Sequence, residues 1–427
     1  MTRWGVSRRA VLAGGVTGVG VTLSGCLTGT VGRAPSVDDS LLSFAESVDD
    51  GLEARTREVY VRTAGLVRNE LREETTVRQI DVEEMRRQSA AWDWFGGDTV
   101  ERLAHRALGL IDELYPDHAP DFAGSYSRDE HLLTLVGPAA EISDQLIAHE
   151  LTHAIQYQAG GADEWERESV SIDRRNAKQG LLEGVAQFVE AAYVDGCDEF
   201  SACRLRSPAP APIDDWEETW LLAYGAHANG HELADALYAR GGWEAIWDAH
   251  RVPPTHTGQV LKPAWYPERE PAFLPGTQDP TGDWRVLGTQ RLGMRAVFVT
   301  LWLAGAIDRD AMLTDSASAT DEVFSTLLRY RSSVSDGWRG DRFVAFERDD
   351  GRYAWIWRIR FRDEAAARDA DEAFRDWAAA RETATDTSNV WERGDRYEAL
   401  TRDRRDVVVG MAPERSAFAE LSELLAV

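Results

Sequence analysis

Lysine, cysteine and long apolar runs are what this chain has least of. Its 427 residues include only two lysines, Lys178 and Lys262, and three cysteines. No apolar run after Leu23 is long enough to span a bilayer as a helix, and no segment of the usual repeat length recurs. These absences argue against a chain that crosses the membrane beyond its N-terminus, a repeat architecture and a site built from two cysteine pairs.

Positive charge is also scarce. The chain carries 47 Lys and Arg against 73 Asp and Glu, a net charge of −26. Such a surface repels a phosphate backbone, so we expect no nucleic-acid partner. The carboxylate excess with almost no lysine resembles haloarchaeal proteins, in which molar salt screens the repulsion. A GC-rich genome that replaces lysine by arginine is the alternative explanation.

The N-terminus has the composition of an export segment. Residues 1–25 combine the pair Arg8-Arg9 with a short, weakly apolar stretch, which predicts a twin-arginine signal peptide. The ending Leu23-Ser24-Gly25-Cys26 resembles a lipobox, in which cleavage leaves Cys26 to carry a lipid; an ordinary cleaved signal is the alternative. Residues 26–40 would then be a lipidated tether, which predicts a location on the extracellular face of the cytoplasmic membrane.

The two remaining cysteines, Cys197 and Cys203, lie six positions apart. Outside the cell, such a pair is expected to close as a local disulfide. Reduced, buried thiols are the alternative, and neither state supplies a nucleophile.

The periodicity of apolar residues predicts an α+β fold in two parts. Residues 41–282 form a mostly helical region with a small sheet. In this region we expect helices from Leu41 to about Arg72, two short strands around the turn at 127–130, and a helix that begins near Ser143 and stops at Gly160-Gly161.

The second part, residues 283–427, reads as a small antiparallel α+β unit. Strands are expected at Arg342–Glu347 and Tyr353–Phe361, followed by an amphipathic helix at Glu364–Ala380 and a second hairpin. A ferredoxin-like arrangement of these elements is the predicted topology. This unit contains no histidine.

The chemistry-bearing motif is His149-Glu150-Leu151-Thr152-His153, inside the first of these helices. Residues four apart on a helix lie on one face, so His149 and His153 can bind one cation. Glu150 then lies beside that cation, where a general base is needed. The alternative is a structural role, in which both histidines make hydrogen bonds within a core helix and bind no metal.

A hydrolytic zinc needs a third protein ligand and an open position. Gln156 and Ala159 occupy the positions where a metzincin has glycine and histidine. The third ligand therefore does not come from the metzincin position. Glu183, thirty residues after His153 on the next long helix, is the predicted third ligand, because a cation would offset the cost of burying it among apolar neighbours. A salt bridge to Arg174 or Arg175 is the alternative role.

Other residues are candidates for supporting roles. Glu190 lies seven residues after Glu183 and so on the same helix face; it could orient a ligand histidine or replace Glu183 as the ligand. His227 and His231 form a second pair four residues apart. One of them, or Tyr224, is a candidate hydrogen-bond donor to a developing oxyanion. Packing of a helix end near the site is the alternative.

These motifs resemble a haloarchaeal family of Tat-exported surface lipoproteins, which is similar to bacterial gluzincin-type metallopeptidases. The resemblance covers about residues 40–420. It rests on the histidine motif, the Glu-Gly-x-Ala helix, the glycine-rich stretch from Tyr224 to Trp243, the segment from Pro253 to Pro263, and Gly337–Arg342. The chain departs from the family pattern at Thr257-Gly258 and at Lys262, which leaves any role of that loop in substrate binding open.

The resemblance implies a zincin-like fold with zinc on His149, His153 and Glu183, and a general base at Glu150. The expected activity is hydrolysis of a peptide bond in a peptide or protein substrate. An edge strand, Gly124–Ser127 or Leu132–Val136, is expected to hold the substrate by strand addition. A zinc-binding but inactive surface lipoprotein and a structural envelope lipoprotein without metal are the alternatives.

Overall fold

The described part of the chain leaves out both termini and several internal stretches. The computed structural model describes residues 37–89, 98–109, 123–162, 171–195, 225–274, 282–308, 329–381 and 383–417, together with Cys197, Cys203, Pro280 and Leu421. The predicted signal peptide, Cys26 and most of the tether lie outside these residues. Residues 37–427 belong to one compact unit.

The N-terminal half is mostly helical. Its elements are β1 (Leu42–Phe44), α1 (Asp50–Val67), β2 (Thr75–Ile80), α2 (Val82–Ser89), α3 (Thr99–Ala107), β3 (Gly124–Ser127), β4 (Leu132–Val136), α4 (Asp144–Gln158), α5 (Ile172–Asp195), α6 (Gly225–Arg251) and α7 (Thr257–Leu261). The expected helix from Leu41 is wrong at its start. Leu42–Phe44 pairs with β2 instead, and α1 begins only after Asp49, whose carboxylate caps it.

The four strands form a small mixed sheet in the order β1-β2-β4-β3. β2 is parallel to β1 and to β4, whereas β3 pairs antiparallel with β4 through the predicted turn. β4 is therefore internal, and β1 and β3 are the two edge strands of the described sheet.

Helix α4 packs against this sheet, α1 and α5. It begins where the sequence predicts, because the Ser143 hydroxyl accepts a hydrogen bond from the Leu146 N–H at 3.3 Å. Its apolar face is fully buried in the core of this half, through Ile147, Ala148, Leu151, Ala154 and Ile155. The opposite face carries the two histidines.

Helices α5 and α6 are in close backbone contact. A Cβ built on Gly184 would lie 2.0 Å from the carbonyl carbon of Gly230, and one on Gly230 would lie 1.9 Å from the carbonyl oxygen of Gly180. Only glycine permits this approach, which places α5 between α4 and α6. Helix α6 bends at Gly241-Gly242, where Gly242 has a φ of 63°.

The C-terminal half contains one larger sheet with two helices. Its elements are β5 (Trp284–Gln290), α8 (Gly293–Leu303), β6 (Trp338–Arg348), β7 (Tyr353–Phe361), α9 (Glu364–Arg381), β8 (Thr383–Ala384), β9 (Val390–Arg393), β10 (Arg396–Asp403) and β11 (Asp406–Ala412). All neighbouring strands are antiparallel.

The strand order is β5-β6-β7-β11-β10-β9-β8. The antiparallel α+β prediction is confirmed, but this order of two meanders joined at β7 and β11 is not the four-stranded ferredoxin-like arrangement that we expected. Tight hairpins join β6 to β7 and β10 to β11, so these strands lie side by side instead of being separated by crossover helices.

The two halves share buried contacts. One hydrophobic cluster contains Val100 and Leu103 of α3, Leu261 of α7 and many residues of the C-terminal sheet and of α8. At the start of α5, the buried carboxylate of Asp173 accepts hydrogen bonds from Thr257 and from Arg291 at 2.6–2.8 Å. The C-terminal half is therefore packed against the helix that carries Glu183. In the described residues, no helix has the length and apolar content needed to cross a membrane.

Candidate metal centre

Helices α4 and α5 bring three ligand atoms together. The Nε2 atoms of His149 and His153 lie 3.1 Å apart, and the Oε2 atom of Glu183 lies 3.4 Å and 3.3 Å from them. Among the described residues, these three form the group of His, Cys, Asp and Glu side chains that could hold a metal ion. The sequence prediction of this group from two separate helices agrees with the geometry.

These separations fit one ion. A tetrahedral ion with bonds of about 2.0–2.2 Å holds its ligand atoms about 3.3–3.6 Å apart. The observed triangle of 3.1–3.4 Å is close to that value on every side. Three ligand atoms also leave a tetrahedral ion one open position.

Gln156 determines which nitrogen of His153 carries the proton. Its Nε2 donates to the carbonyl oxygen of Leu182 at 3.0 Å, so its Oε1 must face the other way, 2.9 Å from Nδ1 of His153. Nδ1 of His153 is then the donor, and Nε2 presents its lone pair toward Glu183. The same side chain links α4 to the residue before Glu183.

Glu190 has the corresponding role at the other histidine. Its Oε2 lies 3.4 Å from Nδ1 of His149, and its Oε1 accepts from Gln145 at 3.3 Å. The carboxylate favours a proton on Nδ1 of His149, which leaves Nε2 for the ion. Glu190 thus contacts the far side of the His149 ring and is not a member of the metal-ligand group.

The electrostatics of the group favour a positive charge. Burial acts to lower the pKa of His149, but the carboxylates of Glu183 and Glu190 outweigh it and hold that pKa well above its usual value. The pKa of His153 is raised as well, because Glu183 outweighs the effect of burial. Two Nε2 atoms and a carboxylate oxygen that face one another are stabilised by positive charge, either a proton on an imidazole or a cation between them. The donor set therefore fits a metal ion.

Glu150 lies on the sheet side of α4. A Cβ built on Gly124, the first residue of β3, would lie 3.0 Å from Cγ and from Oε1 of Glu150. The side chain is mostly buried, with 6% of the residue exposed. The candidate base thus lies against the edge strand β3, in space that the missing Gly124 side chain leaves open.

The remaining predicted residues have different positions. His231 lies on α6, where its Nδ1 is 3.3 Å from Asp235 and its ring packs near Phe188; it is not a member of the metal-ligand group. Tyr224 and the side chain of His227 lie outside the described residues. Cys197 and Cys203 form a disulfide.

Three contributors to this site were not predicted from the sequence. Gln156 hydrogen bonds to the ligand His153, Gln145 donates to Glu190 behind the other ligand histidine, and Gly124 makes room for Glu150. In the sequence, Gln156 is notable only as a departure from the metzincin pattern. A buried glutamine one helical turn after a ligand histidine is a usable signal, but nothing in the sequence connects Gly124 with Glu150.

Comparison with known proteins adds one finding. A family model described as a domain of unknown function, DUF8575, matches residues 284–422, which is the C-terminal sheet with its helices. The match begins after the histidine motif and includes none of the metal-ligand group. No curated protein and no solved structure matches the chain.

Proposed function

We propose that this chain is a zinc-dependent hydrolase, a metallopeptidase of the gluzincin type, which a lipid on Cys26 holds at the extracellular face of the cytoplasmic membrane. The observation that supports the activity is the triangle of His149, His153 and Glu183, with sides of 3.1–3.4 Å. Glu150 follows His149 directly on the same helix. The resemblance to surface lipoproteins supports the location. A zincin-like fold of residues 41–282 is part of the proposal.

A Zn²⁺ ion held by His149, His153 and Glu183 would supply a Lewis acid that polarises a scissile carbonyl and acidifies water. Glu150 carries a carboxylate adjacent to one of the ligands. In the proposed reaction it takes the proton of the attacking water and returns it to the leaving amine. Gln156 and Glu190 keep both histidines in the form that leaves Nε2 free.

The position of β3 supports a peptide as the substrate. β3 is an edge strand in the described sheet, so one row of its backbone N–H and C=O groups has no strand partner there. Its first residue, Gly124, contacts Glu150. An extended peptide added to this edge would pass beside the proposed base. β4 is internal and does not offer such an edge.

Metal analysis of the full chain tests the first step. We expect about one zinc per chain in the wild type and a loss of nearly all of it in His149→Ala. The matched control is His131→Ala, because His131 is partly exposed and contacts Glu73 instead of the metal-ligand group. Equal zinc contents in the two variants would contradict the metal site.

Hydrolysis of a diverse peptide library in high salt tests the second step. Glu150→Gln is expected to keep its zinc and to lose about 10²–10⁴-fold in rate. Glu141→Gln makes the same charge change at an exposed position and should retain activity. A zinc-loaded wild type without turnover would contradict the hydrolase and support the inactive zinc-binding lipoprotein.

A further inference from the structure

A small cavity lies where α5, α6, α7 and α8 meet, and its lining includes none of the metal-ligand group. The centre of a water-sized sphere has about 10 Å³ of free space in it, which is room for one water molecule or one monatomic ion. Its polar wall is formed by Asn176, Asn229, Thr257 and Arg295, and the rest by Gly180, Val260 and Leu261. None of these lining residues is acidic.

Asn229 presents a donor to this cavity. The residue is 1% exposed, and its Oδ1 accepts from the Tyr330 N–H at 3.3 Å. Its Nδ2 is buried and has no hydrogen-bond partner among the described residues. A buried N–H without an acceptor is unfavourable, so an acceptor bound inside the cavity would stabilise this amide.

Arg295 adds a positive charge to the same wall. The Tyr330 ring, 5.5 Å from its Cζ atom, contacts the guanidinium, and the described residues give it no carboxylate. Burial lowers the pKa of this guanidinium. The neighbouring Arg291 differs, because it donates to the Asp173 carboxylate at 2.7 Å. Within the described part of the chain, the cavity wall therefore carries a cation and no carboxylate that pairs with it.

Thr257 does not compensate for either group. Its hydroxyl donates to Asp173 at 2.6 Å and accepts the Arg295 backbone N–H at 3.2 Å. A water molecule in the cavity could accept from Asn229 but would leave the charge of Arg295 in place. A small anion would satisfy both groups.

We propose that this cavity binds a small monovalent anion of about the size of chloride, between the Arg295 guanidinium and the Asn229 amide. Asn176 and Gly180 belong to α5, and Asn229 belongs to α6. Because the anion would contact both helices, its binding would stabilise their close packing. This site is independent of the proposed zinc chemistry.

Thermal unfolding of the full chain at constant ionic strength tests the proposal, with gluconate exchanged stepwise for chloride. The informative variant is Asn229→Asp, which keeps the acceptor for Tyr330 and places a carboxylate beside Arg295. When chloride replaces gluconate, we expect the change in Tm of the wild type to be more positive than the change in Tm of Asn229→Asp, by about 2–5 °C. General effects of the two salts cancel in this difference.

Two further variants complete the experiment. Arg295→Gln removes the guanidinium and should also lose the chloride response. Arg285→Gln is the matched control, since Arg285 is 63% exposed and pairs with Glu347; its response should equal that of the wild type. Equal responses in the wild type and Asn229→Asp would overturn the proposal.

Crystals grown in bromide give a direct second measurement. An anomalous peak within hydrogen-bond distance of Arg295 and Asn229 in the wild type, absent from Asn229→Asp, is the expected result. A cavity that contains only water under these conditions would overturn the proposal, even if the variants unfold too early for the thermal comparison.

Discussion

Replacing Gly184 by alanine perturbs the contact between α5 and α6 next to a proposed zinc ligand. The new Cβ would lie 2.0 Å from the carbonyl carbon of Gly230, whereas carbon atoms in contact lie about 3.5–4.0 Å apart. The two helices would have to separate by about 1.5 Å. Overpacking of this kind costs about 1–3 kcal/mol of the free energy of unfolding, or more.

Two other effects set the expected magnitude. Alanine is about 1 kcal/mol better than glycine in a helix interior, which offsets part of the loss. Glu183 is the neighbouring residue, and metal–ligand distances tolerate only about 0.2 Å of error. We therefore expect Gly184→Ala to lower the zinc affinity by about 10-fold or more, besides its net loss of stability.

Gly65→Ala is the matched control. Gly65 lies inside α1 with nothing within 4 Å of its built Cβ, so the substitution should stabilise the protein by about 0.5–1 kcal/mol. Urea unfolding of the zinc-loaded and the chelator-treated proteins gives both free energies, and competition with a chromophoric chelator gives the affinity. If Gly184→Ala matched Gly65→Ala in both measurements, the close helix contact would be refuted.

The remaining predictions concern the groups around the ligands. Gln156→Leu leaves Nδ1 of His153 without its acceptor and the Leu182 carbonyl without its donor, so zinc affinity in the chelator assay should fall about 10–100-fold; unchanged affinity would contradict the orienting role. In chelator-treated protein, the pKa values of His149 and His153 are raised in the folded state. Above about pH 6.5, the folded state therefore binds more protons than the unfolded state. Stability should therefore fall as pH rises from 6.5 through the raised pKa, and His149→Gln should flatten the urea midpoints measured across that range.

Local patterns explain why part of this architecture was predictable. The i, i+4 histidines, the Ser143 cap and the helix of Glu183 are encoded in short stretches, and the three ligands converge as expected. The hairpin of β3 and β4 is equally local. Glu183 was found because an acidic residue in an apolar helix requires a partner.

Long-range packing explains what was missed. The parallel pairing of Leu42–Phe44 with β2 depends on a strand over thirty residues away, and a three-residue strand has no periodicity of its own. The contact between Gly184 and Gly230 and the order of the seven-stranded sheet likewise depend on residues far apart in sequence. Side chains such as Gln156 acquire their roles only once two helices are adjacent.

The shared core has a consequence for how this chain can be divided. The segment that the DUF8575 model matches begins at residue 284, yet its buried surface includes contacts with Val100, Leu103 and Leu261 from the other half. A fragment that starts at that boundary would expose apolar surface to solvent and lose the anchor at Asp173. The segment that the family model matches is therefore shorter than the part of this chain that folds together. A relative that carries this segment without the helical half needs other residues to bury the same apolar face.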